Sequence, residues 1–316
     1  MQLPPDFEIA RNLPPPGSSL ERSQEYTRRL AKNHYENFTV ASGLLPRQLR
    51  QHFYNVYAYC RWSDDLADEV SNPQLALELL DWWDSELRQC YAGSPGHAVF
   101  VALRHTIQSF DIPMQPFSHL LAAFRQDQRV HRYPTWEAVM GYCRYSANPV
   151  GRLVLYLGGY RDQDRQTLSD FTCTALQLAN FWQDVSRDLD KDRIYIPLDV
   201  LAKYGWSEAD LFKRQFDDRY AALMHELVAR TRALFEQGLP LIEKVEPALR
   251  VDIELFSRGG LSVLDAIEAI GYNTLQNRPS LSGMAKLRLL SQTYAKRYRI
   301  GSLIRALSQP RMGRSA

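Results

Sequence analysis

Asn180-Phe181-Trp182-Gln183-Asp184-Val185-Ser186-Arg187-Asp188 and, earlier in the chain, Asp64-Asp65-Leu66-Ala67-Asp68 are the stretches whose reading decides the fold. In a helix of about 3.6 residues per turn, positions four apart share a face, so Asp64 and Asp68 project together, as do Asn180, Asp184 and Asp188. Two such faces opposed across a cavity offer oxygen ligands to several hard cations. Mg2+ keeps part of its water shell and takes one or two carboxylates per ion, with phosphate oxygens completing the set. The competing reading is a solvated surface or a structural salt-bridge network. The neighbourhood favours metal: Tyr57, Tyr59, Trp62 and Leu66 surround the first cluster, and Leu176, Leu178, Phe181, Trp182 and Val185 the second. Surface helices keep a polar face, and carboxylates set among apolar side chains are costly unless paired or metal-bound.

Outward from these clusters, apolar residues recur at three and four in segment after segment, and period-two alternation is rare, so the chain reads as all-α. The periodicity predicts helices over 22–36, 47–69, 74–91, 97–109, 115–126, 135–158, 163–188, 207–237, 241–256, 260–272 and 284–307. Asn72-Pro73, Gly93-Ser94-Pro95-Gly96, Asp111-Ile112-Pro113, Tyr133-Pro134 and Pro197 supply the breaks. No low-complexity linker follows the proline-rich start. The expected organisation is an extended segment over 1–20 and one helical domain over 21–316 that folds back to bring the clusters together.

Hydrophobic residues make up 45% of the 316, enough for a folded core. The first residues are proline-rich and polar, and no run approaches the roughly 18 apolar residues of a membrane span, so the expected compartment is the cytoplasm. Cys60, Cys90, Cys143 and Cys173 lack metal-ligand spacing and read as reduced, buried packing residues. The net charge of +2 hides an asymmetry. After Glu268 come nine cations, Arg278, Lys286, Arg288, Lys296, Arg297, Arg299, Arg305, Arg311 and Arg314, and no acid; the remainder carries 29 basic against 36 acidic residues. With Leu287, Leu290, Tyr294, Tyr298 and Leu307 interleaved, the tail reads as a basic amphipathic helix that either touches membrane peripherally or packs on the domain. No nucleic-acid recognition motif accompanies it.

Five ordered blocks carry a family resemblance: His34-Tyr35-Glu36-Asn37-Phe38 with Leu44-Leu45-Pro46; Arg61, Asp64 and Asp68; Tyr142-Cys143, Ala147 and Val150-Gly151; Gln177, Asn180, Asp184 and Asp188; and Arg193-Ile194-Tyr195-Ile196-Pro197. Together they resemble the squalene and phytoene synthase family. The resemblance implies a single-domain isoprenoid synthase bundle with a central cavity, several Mg2+ ions on the two aspartate motifs, and ionisation of a lipophilic diphosphate beside an apolar tunnel. Finer segments, among them Phe124-Arg125-Gln126-Asp127-Gln128-Arg129, Ser146 to Arg152 and Arg258-Gly259-Gly260-Leu261, are similar to the bacterial hydroxysqualene synthase branch of hopanoid biosynthesis. Gln183 and Gly260 stand where condensing members of the family carry arginine and tyrosine. Within the resemblance, the alternatives are a head-to-head condensing enzyme and an inactive member acting as a binding or assembly protein.

The residue roles follow from both readings. Asp64, Asp68, Asp184 and Asp188, helped by Asn180, are the metal candidates. Arg61 and Arg193 are placed to grip phosphate, or else to form local ion pairs. His34 and Asn37 match the family's phosphate-contact segment, and Val150, Gly151 and Tyr195 lie in its substrate-side blocks. Phe38, Tyr57, Tyr142 and Trp182 are aromatic faces that either stabilise a carbocation or simply line a tunnel or core. Gln177 sits one turn before Asn180. Ser146 and Asn148 precede Pro149, which interrupts the helix ladder, and either cradle a water or satisfy a kink. No GxGxxG loop is present, so no NAD(P)H is expected. Pathway enzymes are possible partners.

Overall fold

A long helix is anchored at Asp162, whose side chain accepts from the Arg165 amide; it then runs 28 residues to Asp190, about 42 Å, and carries the whole second acidic motif. The computed structural model describes residues 7–10, 12–34 and 46–280. Over these residues the chain forms α1 (Leu20–His34), α2 (Arg47–Asp68), α3 (Pro73–Ala92), α4 (Ala98–Phe110), α5 (Gln115–Asp127), α6 (Trp136–Ser146), α7 (Asn148–Leu157), α8 (Gln163–Asp190), α9 (Leu198–Lys203), α10 (Glu208–Lys213), α11 (Asp218–Gly238) and α12 (Pro247–Ala269). Among the described residues the only β pairing is an isolated bridge between Arg132 and Ile194. The fold is an all-helical bundle.

Sequence punctuation acts where chemistry dictates. Asn72 caps α3 through its side-chain oxygen, Pro73 fills the first turn, and Gly93 ends the helix at φ 102°. Four expectations are corrected. The predicted helix over 135–158 is two, broken at Ala147, because Pro149 has no amide to continue the ladder. The stretch over 207–237 is also two, interrupted by left-handed Arg214 and restarted by the Asp217 cap. Conversely, 241–256 and 260–272 contain one helix, α12, which runs through Gly259-Gly260 and is preceded by a 3-10 turn at Leu239–Lys244. Tertiary packing overrides the weak helix propensity of those glycines: a Cβ on Gly260 would lie 2.3 Å from Phe235 and 2.8 Å from Leu176. Short α9 went unpredicted. The helix expected over 284–307 lies outside the described residues.

Two apolar cores surround the two motif helices. Tyr59, Trp62 and Leu66 of α2 pack with Trp83, Phe100 and Phe117, all fully buried; Leu178 and Trp182 of α8 pack with Tyr220, Leu227, Phe235 and Leu264. Each buried ring places its polar tip on a partner: Trp62 Nε1 donates to Tyr26 Oη (2.9 Å), Trp83 Nε1 to Ser63 Oγ (3.0 Å) and Trp182 Nε1 to Thr231 Oγ1 (2.8 Å). Helix α7 packs against both α2 and α8, and Gly151 permits that approach, since a Cβ there would meet Ser169 Oγ at 2.3 Å and Cys173 Sγ at 2.4 Å. Cys90 and Cys143 are buried as expected, whereas Cys60 and Cys173 are only partly so; all four are free thiols.

Candidate active site

The C-terminal end of α2 and the C-terminal half of α8 meet across a cavity of about 310 Å³. Asp64 and Asp68 line it from α2, and Gln177, Asn180, Phe181 and Asp188 from α8; Lys191, Arg193 and Tyr195 follow from the loop after α8, Tyr142 and Ser146 from α6, and Asp127 from the end of α5. Leu120, Ala123 and Phe124 of α5 provide an apolar wall. The two acidic motifs, 120 positions apart, therefore share one chamber.

Its electrostatics are dominated by crowded carboxylates. Burial and the neighbouring charge of Asp68 push the Asp64 carboxyl up to about 6, with Arg61 opposing. Burial and Asp184 push Asp188 up to about 7, against Arg193 and Lys191. Two cations face this set. Arg193 Nη2 donates to Asp68 Oδ1 at 3.1 Å, and Lys191 Nζ lies 3.8 Å from Asp68 Oδ2. Despite the cost of its own burial, Arg193 is held firmly protonated by Asp68.

A divalent cation fits this donor set. Every donor is oxygen, the carboxylates on facing helices repel one another, and a hard cation relieves both that repulsion and their burial. Among the described residues, no group of three or more histidine, cysteine, aspartate or glutamate side chains is drawn together closely enough to hold a metal ion by itself, so a cation here would need ligands from water or phosphate as well.

Asp184 is placed differently. It is not in the cavity lining; Arg278 holds it, with Nε on Oδ1 and Nη2 3.2 Å from Oδ2. The segment carrying Arg278 is tied down by Gln183, whose Nε2 donates to the Pro279 carbonyl at 2.7 Å while its Oε1 accepts from Arg278 at 3.5 Å. Gln183 therefore faces Arg278 rather than the chamber, and an arginine there would meet a second guanidinium.

Several residues expected at the site lie elsewhere. Arg61 is spent on its own helix, pairing with Asp65 and, at 3.5 Å, with Asp64. Trp182 is a fully buried core residue. Asn148 is buried beside α8, where its Oδ1 accepts from Thr174 (2.8 Å), so of the Ser146–Asn148 pair only Ser146 reaches the cavity. Gly151 is a packing glycine, and Val150 is surface-exposed; neither is in the lining, nor is Tyr57. His34 ends α1, while Asn37 and Phe38 lie outside the described residues, as does the basic tail beyond Ser280.

Sequence reasoning gave no role to Asp127, Lys191 or Phe181. Asp127 had a signal, a carboxylate closing an apolar helix next to Phe124. Lys191 sits between Asp188 and Arg193, and Phe181 reads locally as core. Phe181 in fact stacks face to face on Tyr195 at 3.7 Å, and with Tyr142 (6.0 Å from Tyr195) and Tyr133 (5.4 Å from Tyr142) forms an aromatic wall.

Comparison with known proteins agrees with this architecture. The squalene/phytoene synthase family model matches residues 31–285. A crystal structure of squalene synthase HpnC from Alicyclobacillus acidocaldarius is 46% identical, superposes with a TM-score of 0.78, and covers 80% of this chain and 96% of its own. A dehydrosqualene synthase solved in complex with ligand is 25% identical with a TM-score of 0.79, over 88% of this chain and 97% of its own. The 15-cis-phytoene synthase of Synechococcus elongatus is 30% identical over 282 residues, 85% of this chain and 92% of its own. The match extends over both acidic motifs, the Tyr142 helix and the Arg193 loop, and it identifies an enzyme acting on prenyl diphosphates: the chain belongs to the squalene/phytoene synthase family.

Proposed function

We propose that this protein is a hydroxysqualene synthase, ionising presqualene diphosphate with Mg2+, rearranging the resulting cation and capturing it with water to give hydroxysqualene and diphosphate. The observation that carries this reading is the cation distribution. Among the described residues, Lys191 and Arg193 are the cations in the chamber lining, and Arg278 is engaged by Gln183 and Asp184 outside it, an arrangement that suits a single diphosphate.

When bound, magnesium neutralises charge developing on the departing diphosphate. Asp64, Asp68, Asn180 and Asp188 would hold it, with Asp184 joining once Arg278 lets go. Arg193 and Lys191 grip the leaving group, for which Asp68 keeps both cations in place. The faces of Phe181, Tyr195 and Tyr142 stabilise the carbocation without trapping it. Leu120, Ala123 and Phe124 keep bulk water out, and Ser146 and Gln177 add polar groups to the lining.

The second reading, condensation of two prenyl diphosphates, is favoured by curated relatives described as phytoene synthases. Purified protein incubated separately with farnesyl diphosphate and with presqualene diphosphate, without NADPH, separates the two. The first reading expects consumption of presqualene diphosphate to a hydroxylated thirty-carbon product; formation of presqualene diphosphate or phytoene from the shorter substrates would replace it with the second. No described helix is long and apolar enough to cross a membrane. The same proposal keeps the enzyme in the cytoplasm, at a bilayer surface through its basic C-terminal segment, beside the enzymes that supply and use its lipids.

A further inference from the structure

Asp127 is a carboxylate in the lining for which neither metal binding nor phosphate binding has a use. It closes α5 and is only 9% exposed. Its Oδ2 accepts a 2.9 Å hydrogen bond from the Tyr142 phenol, and its buried Oδ1 has no hydrogen-bond partner. No ion pair involving it occurs among the described residues; the nearest cation that acts on it, Arg193, is committed to Asp68. A buried carboxylate without a cation is an expensive arrangement, which makes a chemical use for it worth seeking.

Its partner points to that use. Tyr142 lines the chamber and belongs to the aromatic wall. One helical turn further along α6, Ser146 lines the same chamber, and its Oγ is buried with no partner. Residues four apart share a helix face, so Tyr142 and Ser146 present themselves to the same side of the chamber.

We propose that Ser146 and Tyr142 hold the water that captures the carbocation, and that Asp127, acting through Tyr142, removes its proton. This inference rests on the hydroxysqualene reading. Diphosphate departs with the electron pair of the broken C–O bond. The cyclopropylcarbinyl cation left behind rearranges and its ring opens by cleavage of one C–C bond, giving an allylic cation to which the water oxygen forms a new C–O bond. One O–H bond of that water breaks as its proton passes to Tyr142 Oη, while the phenol proton passes to Asp127 Oδ2. The phenol ends as it began, Asp127 becomes a carboxylic acid, and its proton returns to solvent after product release. No redox partner is needed. Asp127 is thus a positioning residue and proton store, and Tyr142 is the catalytic residue that touches the water. Burial, with the charges of Asp68 and Asp64, raises the Asp127 carboxyl above the ordinary carboxylate range, against the Tyr142 hydrogen bond and Arg193.

The test uses the full chain with Mg2+ and presqualene diphosphate, and measures diphosphate release and product identity side by side. Asp127→Asn is an isostere that removes the buried charge, and its products are scored per diphosphate released. Its alcohol fraction should fall about tenfold or more, in favour of elimination products. Asp127→Glu should recover much of that fraction, and Tyr142→Phe, which leaves Asp127 in place, should resemble Asp127→Asn. An unchanged alcohol fraction in Asp127→Asn would overturn the proposal and give the proton to the departing diphosphate. Loss of diphosphate release in step with the alcohol would also overturn it, by making Asp127 part of ionisation. If wild type forms no alcohol at all, the functional reading itself has failed, which is visible before any variant is made.

Discussion

Asp68 and Asp184 each follow another oxygen-bearing residue by one helical turn, Asp64 in the first case and Asn180 in the second, yet they are held in opposite ways. Asp68 opens onto the cavity and is met there by Arg193 and Lys191, cations that arrive from just beyond the second motif. Asp184 is covered by Arg278, which arrives from beyond the end of α12 and is braced by the Gln183–Pro279 hydrogen bond. The same i, i+4 spacing thus yields two electrostatic states. At the first motif the counter-ions belong to the chamber lining. At the second, the counter-ion comes from a distant segment and, like Asp184, lies outside that lining. Spacing fixes which residues share a face; distant chain segments decide which of them are free.

The comparison breaks most visibly if the two motifs do not work on one substrate. Asp64→Asn and Asp188→Asn, one from each side, should each reduce magnesium-dependent diphosphate release at least about 100-fold while leaving the helical circular-dichroism signal intact. A variant retaining a tenth of wild-type release would remove its motif from the metal site.

The motifs also differ in what supports them. Beneath the first, His97 caps α4 by accepting from the Val99 amide, and its ring is enclosed by Trp62 (4.6 Å) and Trp83 (4.9 Å). Burial lowers its pKa from 6.5 to about 3. Below pH 6.5 the unfolded chain takes up a proton that the folded chain refuses, so this stabilisation is complete above pH 6.5 and is lost progressively as pH falls towards 3. At pH 5 the loss is about 2 kcal/mol. His97→Asn, which retains a capping side chain, should show a correspondingly flatter dependence of denaturant midpoint between pH 7.5 and 5 than wild type; parallel curves would contradict the assignment. The second motif's helix contains no histidine.

A smaller effect sharpens the contrast directly. If Arg278 competes with metal for Asp184, Arg278→Gln should tighten Mn2+ or Mg2+ binding to substrate-free protein by roughly threefold or more, the scale of a partly exposed ion pair. The corresponding Lys191→Gln change should chiefly weaken diphosphate binding. Equal behaviour of the two variants would erase the distinction between the motifs.

Much of the architecture was legible in the sequence. Helical periodicity and caps located most elements, and the embedded aspartates marked both cavity walls. The failures have physical causes. Gly259-Gly260 reads as a break because propensity is local, whereas its helicity comes from Phe235 and Leu176 pressing against α12. Arg61 and Arg193 look equivalent in sequence, each beside an acidic motif; only the fold turns Arg61 back onto Asp65 and sends Arg193 across to Asp68. Trp182 and Phe181 are adjacent aromatics on one helix, and a helix must send neighbours in different directions, one into the core and one to the chamber. The signal at Asp127, an acid closing an apolar helix, does not say what the acid is for; that comes from Tyr142, 15 positions away.

The central claim, that both motifs serve one diphosphate and one water, is tested most directly by turning over presqualene diphosphate in 18O-enriched water with Mg2+ and no NADPH. The account predicts a thirty-carbon alcohol with the hydroxysqualene skeleton carrying one 18O per molecule, released with one equivalent of diphosphate. Recovery of unreacted presqualene diphosphate, or its conversion to a product without solvent oxygen, would contradict it.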